Sequence, residues 1–212
     1  MREEEKIFAG VLFSPDDPEL RAIKLRTHNL CSKYNRTFED ETGKREELIR
    51  KIFCEFGENG FLQGPIYIHY GKHTKIGAHF YANFNLTIQD DTWVTIGDHC
   101  NFGPNVTIVT PVHPMLPHER RALMDKHGVA KHMIYAKSVE IGNDCWLGAN
   151  VVVCSGVTIG DNCVIGAGSV VVRDIPSNSF AAGNPCRVIR EITEADSMVN
   201  KPEILGDNRI IK

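Results

Sequence analysis

The sequence predicts a mainly β protein wound as a parallel β-helix of hexapeptides, and three observations carry that prediction. Ile141, Leu147, Val153, Ile159, Ile165 and Val171 recur every six positions. Glycine follows four of these aliphatics, at Gly142, Gly148, Gly160 and Gly166. A second small or apolar residue stands four places after each of the six, at Cys145, Val151, Val157, Cys163, Ser169 and Ile175. An amphipathic helix needs apolar spacing of about 3.6 residues and a half-buried strand about 2, so a strict six-residue period belongs to a solenoid. Three hexapeptides close one triangular coil, which stacks residues eighteen apart at about 4.8 Å. Ile141 is therefore expected under Ile159 and Leu147 under Ile165, with Asn143, Asp144, Asp161 and Asn162 at corners whose torsions suit Asn, Asp or Gly.

In chain order, Met1 to Ala9 is charged and lacks the apolar stretch of a signal peptide. Apolar residues at helical spacing then predict two helices, from Pro18 to about Asn35 through Leu20, Ile23 and Leu30, and from about Glu41 to Phe56 through Leu48, Ile49, Ile52 and Phe53. Asp17 followed by Pro18 is a cap with proline at the first helical position. This leader, residues 1–60, is expected to plug the open end of the solenoid, which would otherwise expose apolar coils and unpaired strand edges. The solenoid spans 61–192. Ile76, Ala82, Ile88 and Val94 hold one phase and Ile96, Phe102 and Ile108 another; the two-residue slip between them reads as a bulge or loop at one corner. Residues 114–137 have no hexapeptide pattern, carry Arg120, Arg121, Lys126, Lys131 and Lys137 with His118, His127 and His132, and form an excursion loop of the kind that serves function on rigid scaffolds. The remaining tail, 193–212, is turn-rich around Pro202 and Gly206.

Composition narrows the function. With 212 residues, 42% hydrophobic, the chain can bury one sizeable core. A net charge of −3 provides no field for nucleic acid, and no run reaches membrane-spanning length, so a cytoplasmic protein without nucleic-acid or membrane partners is expected. Seven cysteines without CxxC spacing point to reduced thiols packing as small hydrophobes.

Tyr81-Ala82-Asn83-Phe84-Asn85, Ile96-Gly97-Asp98, Pro104-Asn105-Val106-Thr107, His113-Pro114, the Ile141 to Gly148 stretch and Ala181 to Arg190 resemble the maltose and galactoside O-acetyltransferases. The resemblance runs from about residue 4 to residue 192, leader included. It implies a left-handed β-helix, a homotrimer, and transfer of acetyl from acetyl-CoA to a sugar hydroxyl. A sugar hydroxyl is a poor nucleophile, and histidine is the natural base at neutral pH. Of nine histidines, His113 ends a coil before the excursion, and Pro114 restricts its backbone to extended conformations. It is expected to act as the base in a direct transfer, while His28, His69, His73, His79, His99, His118, His127 and His132 are expected to be structural or solvated, His118 lying near enough to line the cleft. The resemblance makes Asn83 the active-site amide and gives Asp91 and Tyr81 to the acceptor. A leader aspartate, Asp16 or Asp17, completes the sugar site. For acetyl-CoA it implies backbone contacts at Ala149 and Ala167, a wall at Trp146 and phosphate-binding charge at Arg173, Arg187 and Arg190. No metal is expected. The alternatives are acetylation of a xenobiotic alcohol, a zinc carbonic anhydrase on the same solenoid, and a non-catalytic scaffold trimer.

Overall fold

The computed structural model describes residues 1–124 and 128–208. Its body is a three-faced prism of parallel strands. Face 1 stacks Glu55–Phe56, Thr74–Ile76, Val94–Ile96, Val139–Ile141 and Thr158–Ile159. Face 2 stacks Phe61–Leu62, Tyr81–Ala82, Asn101–Phe102, Trp146–Leu147, Val164–Ile165 and Ser179–Ala182, then adds Arg187–Glu191 antiparallel at its end. Face 3 stacks Ile66–Ile68, Leu86–Gln89, Thr107–Val109, Val152–Val153 and Val170–Val171. Ile141 pairs with Ile159 and Leu147 with Ile165, the register expected from the eighteen-residue repeat.

The inward aliphatics are almost wholly buried, in one continuous core that runs the length of the prism. Corners alternate between glycine and Asn or Asp for a physical reason. Asp144, Asn150 and Asn162 adopt φ near +60°, a region open to short polar side chains that bond locally. Asn85 donates to Asn105 at 2.9 Å and Asn105 to Asn150 at 3.0 Å, a ladder along the edge between faces 2 and 3. At Gly148 a Cβ would lie 2.7 Å from the Ala167 nitrogen, so the tight stacking of that edge requires glycine. Cys100, Cys145 and Cys163 stack inside the prism as thiols, each donating to a carbonyl of the next coil at 3.1–3.2 Å.

The phase slip is the most consequential irregularity. Ile76 pairs with Ile96 and Tyr81 with Asn101, twenty residues apart, so the early coils carry two residues more than the later ones. The extra length lies at the edge between faces 3 and 1, where residues 69–73 and 90–93 form widened corners holding Tyr70, His73, Asp90 and Asp91. The last coil is shorter, with Ile175 rather than residue 177 beside Ile159.

Three helices precede or cap the first coil: α1 (Glu3–Phe8), α2 (Pro18–Tyr34) and α3 (Thr42–Ile52). Asp17 caps α2, accepting from the Glu19 and Leu20 amides at 2.9 and 3.3 Å. Two expectations need correction. The charged N-terminus contains α1, whose single turn and a half of helix is held down by Phe8 stacked on Trp93 at 5.2 Å. The second leader helix stops at Ile52 rather than Phe56, because Phe53 is extended and Glu55–Phe56 starts face 1. Cys31, Tyr34, Leu48, Ile49, Ile52 and Phe53 join the solenoid core, so α2 and α3 cover its first coil. The buried Arg45 guanidinium secures that contact through the Leu62 and Gln63 carbonyls and the Tyr34 hydroxyl. Pro111–Val112 pairs antiparallel with Tyr135–Ala136 to close the base of the excursion, which carries α4 (Pro117–Arg120) and a small hairpin. His127 lies outside the described residues.

Candidate active site

The expected site residues fall into two groups on the two edges that bound face 3. Asp91 lies on the edge between faces 3 and 1, in the widened corner, and His113 follows one coil later along the same edge. The Pro111–Val112 pairing fixes the backbone just before His113, whose side chain is exposed. On the other side of the excursion's base, Phe13 pairs with Ile134 and brings the leader to this edge. Asp16 Oδ2 accepts from the His132 amide at 3.1 Å and lies 3.0 Å from its Nδ1. The His132 backbone bond, joined by its imidazole and opposed by burial, holds the Asp16 carboxyl below the usual range. Asp17 is engaged as the α2 cap, which leaves Asp16 as the leader carboxylate facing the edge.

Asp91 is 1% exposed, and its Oδ2 has no hydrogen-bond partner. Burial pushes its carboxyl up to about 6, and the Lys24 ammonium only partly opposes the shift. Beside it the Tyr70 hydroxyl is also buried without a partner; burial and then the charge of Asp91 drive it upward. Asp90 is satisfied instead, accepting from the Tyr70 amide at 2.7 Å and the Thr74 hydroxyl at 2.8 Å. Buried polar atoms without partners are rare because each sacrifices its hydration, so a hydroxyl and a carboxylate left open together mark a place where a polar ligand belongs.

The second group occupies face 2 and the edge between faces 2 and 3. Tyr81 stacks on Phe61 with 6.1 Å between ring centroids. At the next corner Asn83 is locked by its amide bond to the Phe102 carbonyl. Its Oδ1 accepts from the Phe84 amide at 2.7 Å, so its NH2 is the group offered outward as a donor. Ala149 and Ala167 stand on this same edge further along, the Ala149 carbonyl accepting from Gly168 at 2.8 Å. Trp146 is 57% exposed on face 2, in one outward column with Tyr81, Val164 and Phe180. Arg187 and Arg190 lie at the end of that face, and Arg190 grips Asp196 with two bonds of 2.7 Å. Arg173 is the exception, placed after Val171 on the edge that carries His113.

Two residues here escaped sequence reasoning. Lys24, whose Nζ donates to the Pro15 carbonyl at 3.1 Å, is a cation whose charge acts on both Asp91 and Asp16. His69 pairs with His28 at 3.4 Å, and burial with Lys24 pushes it down to about 4. A lysine beside Leu20 and Ile23 on the buried face of α2 was the available signal, because a charge there needs a partner across the interface.

Comparison with known proteins points to one family. A family model described as "Maltose acetyltransferase hexapeptide capping motif" matches residues 6–57, and one described as "Bacterial transferase hexapeptide (six repeats)" matches 138–173. The galactoside O-acetyltransferase of Escherichia coli (strain K12) is 48% identical over 192 residues, covering 91% of this chain and 90% of its own. A galactoside acetyltransferase solved in complex with coenzyme A superposes with a TM-score of 0.84 at 43% identity, over 100% of both chains. The maltose O-acetyltransferase of Clostridium difficile 630 gives 0.83 at 38% identity, over 92% of this chain and 99% of that one. The chain therefore belongs to the maltose and galactoside O-acetyltransferase family of hexapeptide-repeat acyltransferases, and it is an acyltransferase.

Proposed function

We propose that this protein transfers acetyl from acetyl-CoA to a sugar hydroxyl, in sites formed between the copies of a homotrimer. The observation that carries the proposal is the separation of the site residues. His113, Asp91, Asp16 and Arg173 lie on one edge of face 3, while Asn83, Ala149 and Ala167 lie on the other, so a single chain holds two half-sites. A cyclic arrangement with face 3 towards the symmetry axis brings one edge of each prism to the opposite edge of its neighbour. Side-chain chemistry supports that orientation. Face 3 presents the uncharged Tyr67, Thr87, Thr107, Val152 and Val170, whereas face 1 presents Glu55, Lys75, Thr95, Glu140 and Thr158 to solvent.

In the joined site, the His113 imidazole takes the proton of the acceptor hydroxyl as its oxygen attacks the thioester carbonyl. The tetrahedral oxyanion needs a fixed donor, and the Asn83 NH2 is suited to it. Collapse expels the CoA thiolate, which recovers the proton from the imidazolium, so no covalent enzyme intermediate is required. Asp91 and the Tyr70 hydroxyl provide an acceptor and a donor for sugar hydroxyls, which explains why neither has a partner within the chain. Among the described residues no three His, Cys, Asp or Glu side chains converge as a metal set. No helix among them is long and apolar enough to cross a membrane.

The test is subunit complementation. His113→Ala and Asn83→Ala homotrimers should each lose acetyl transfer to a galactoside or maltose by a factor of about 10² to 10⁴. Unfolding and reassembling the two together should restore activity, since each mixed trimer contains an interface with both residues intact. Mixed assemblies as inactive as the parents would place both residues in one subunit's site and overturn the arrangement.

A further inference from the structure

The widened corner holds its two open groups in place through a residue that no ligand can reach. His73 is 0% exposed. Its Nδ1 lies 3.0 Å from the Asp90 carbonyl oxygen, which can only accept, so Nδ1 carries a proton and donates it. Its Nε2 faces Glu4 Oε1 of α1 at 3.4 Å, and Lys72 Nζ reaches the same oxygen at 2.5 Å. Tyr70 stacks on the imidazole with 4.9 Å between ring centroids, while Phe8 and Trp93 meet it edge-on at 5.0 and 6.0 Å. Both ring nitrogens are therefore committed to groups of the protein.

We propose that His73 is a positioning residue for the acceptor, aligning the Asp91 carboxylate and the Tyr70 hydroxyl towards one ligand, with Glu4 as the latch that fixes its ring. The inference rests on the reading of Asp91 and Tyr70 as acceptor-binding groups and extends it to side chains that touch no substrate. Three observations support it. First, His73 controls both open groups at once, since it donates to the carbonyl of the peptide leading into Asp91 and covers the Tyr70 ring. That peptide is planar, so fixing its carbonyl fixes the direction from which the Asp91 side chain departs. Second, the same turn is bracketed from the next coil. Thr110 Oγ1 donates to the Gln89 carbonyl at 2.9 Å and accepts from the Thr92 amide at 3.2 Å. The Asp90 carboxylate is satisfied by the Tyr70 amide and the Thr74 hydroxyl, whereas Asp91 Oδ2 is held without a partner. A backbone clamped on both sides of an open carboxylate is how a ligand-binding group is kept in one orientation by its surroundings. Third, an apolar ring would pack among Tyr70, Phe8 and Trp93 without the cost of burying imidazole nitrogens. What the imidazole adds at this position is the directed bond to the Asp90 carbonyl and a contact that reaches α1.

The experiment measures acetyl transfer to a galactoside or maltose by two variants of the intact protein that divide the functions of the ring. His73→Phe keeps an aromatic ring and loses the donor, and it should raise the acceptor KM about tenfold while kcat and the acetyl-CoA KM stay within about twofold. His73→Asn loses the ring but places an amide donor where Nδ1 stands, and its acceptor KM should remain within about threefold of the parent. An unchanged acceptor KM in His73→Phe, an equal rise in both variants, or a matching rise in the acetyl-CoA KM would overturn the assignment. Should His73→Phe fail to fold, Glu4→Gln decides: it leaves the core intact and weakens the latch, so the acceptor KM should rise about threefold, and no rise would overturn the proposal. Asp91→Asn and Tyr70→Phe separate this from the underlying reading. If they raise the acceptor KM while His73→Phe does not, the corner binds the acceptor without help from His73; if neither raises it, the acceptor lies elsewhere and both readings fall.

Discussion

Replacing Asp91 with asparagine should make the protein more stable and less able to hold its acceptor. The carboxylate is buried with one oxygen unpartnered, and burial raises its pKa from 3.8 to about 6. A carboxyl with a raised folded-state pKa binds its proton more tightly when folded, so its stabilising effect is complete below the unfolded pKa and is lost as pH climbs through the folded one. The window is about pH 4 to 6, and above it the ionised group is a burden. At about 1.4 kcal/mol per unit, two units correspond to about 3 kcal/mol at pH 8. Asparagine is nearly isosteric with the protonated acid and has no charge to desolvate, so Asp91→Asn should gain about 2–3 kcal/mol at pH 8 and almost nothing at pH 4. For a chain of this length that is a rise in Tm of about 5–10 °C. Asp90, pushed up to about 7 by burial, is present in both proteins and largely cancels from the difference. The assay is equilibrium denaturant unfolding of both proteins from pH 4 to 8 at one protomer concentration, with acceptor KM measured in parallel. Destabilisation at pH 8, or a difference independent of pH, would refute the claim that this carboxylate is held without a partner in the folded chain. An unchanged acceptor KM would remove it from the sugar site.

Three further outcomes follow from named contacts. If the proposed trimer packs through face 3, Val152→Arg should leave a 23.7 kDa monomer in sedimentation equilibrium and abolish transfer while far-ultraviolet circular dichroism is preserved; a fully active trimer would move the interface to another face. Gly71 has φ of +71°, and a methyl there would meet the Ile52 carbonyl oxygen, so Gly71→Ala should cost at least about 2 kcal/mol in chemical denaturation. Arg45→Met, which leaves the Tyr34 hydroxyl and two carbonyls without their cation, should cost about 3 kcal/mol and expose the α2–α3 leader to early proteolysis.

The sequence by itself determined the solenoid, because a six-residue period is a property of local spacing. An inward aliphatic and a glycine or asparagine corner are dictated within each hexapeptide, and stacking only repeats them, as the Ile141–Ile159 and Leu147–Ile165 pairs show. Motif resemblance singled out His113, Asn83 and Asp91 and the residues proposed to hold the cofactor, whose roles rest on that resemblance. What only the tertiary structure decided was placement across distance. That Asn83 and His113 lie on opposite edges of face 3 depends on how many residues each corner takes, and two additional residues per early coil made the corner that buries Asp91. Lys24 reaches that corner, and His28 meets His69 there, because α2 packs over it, a contact that no local pattern encodes. Asp196 meets Arg190 only because the chain reverses after the last coil. Local regularity is written in neighbouring residues and survives reading one segment at a time, whereas the meeting of a leader, a widened corner and the base of an excursion exists only once the core has drawn them together.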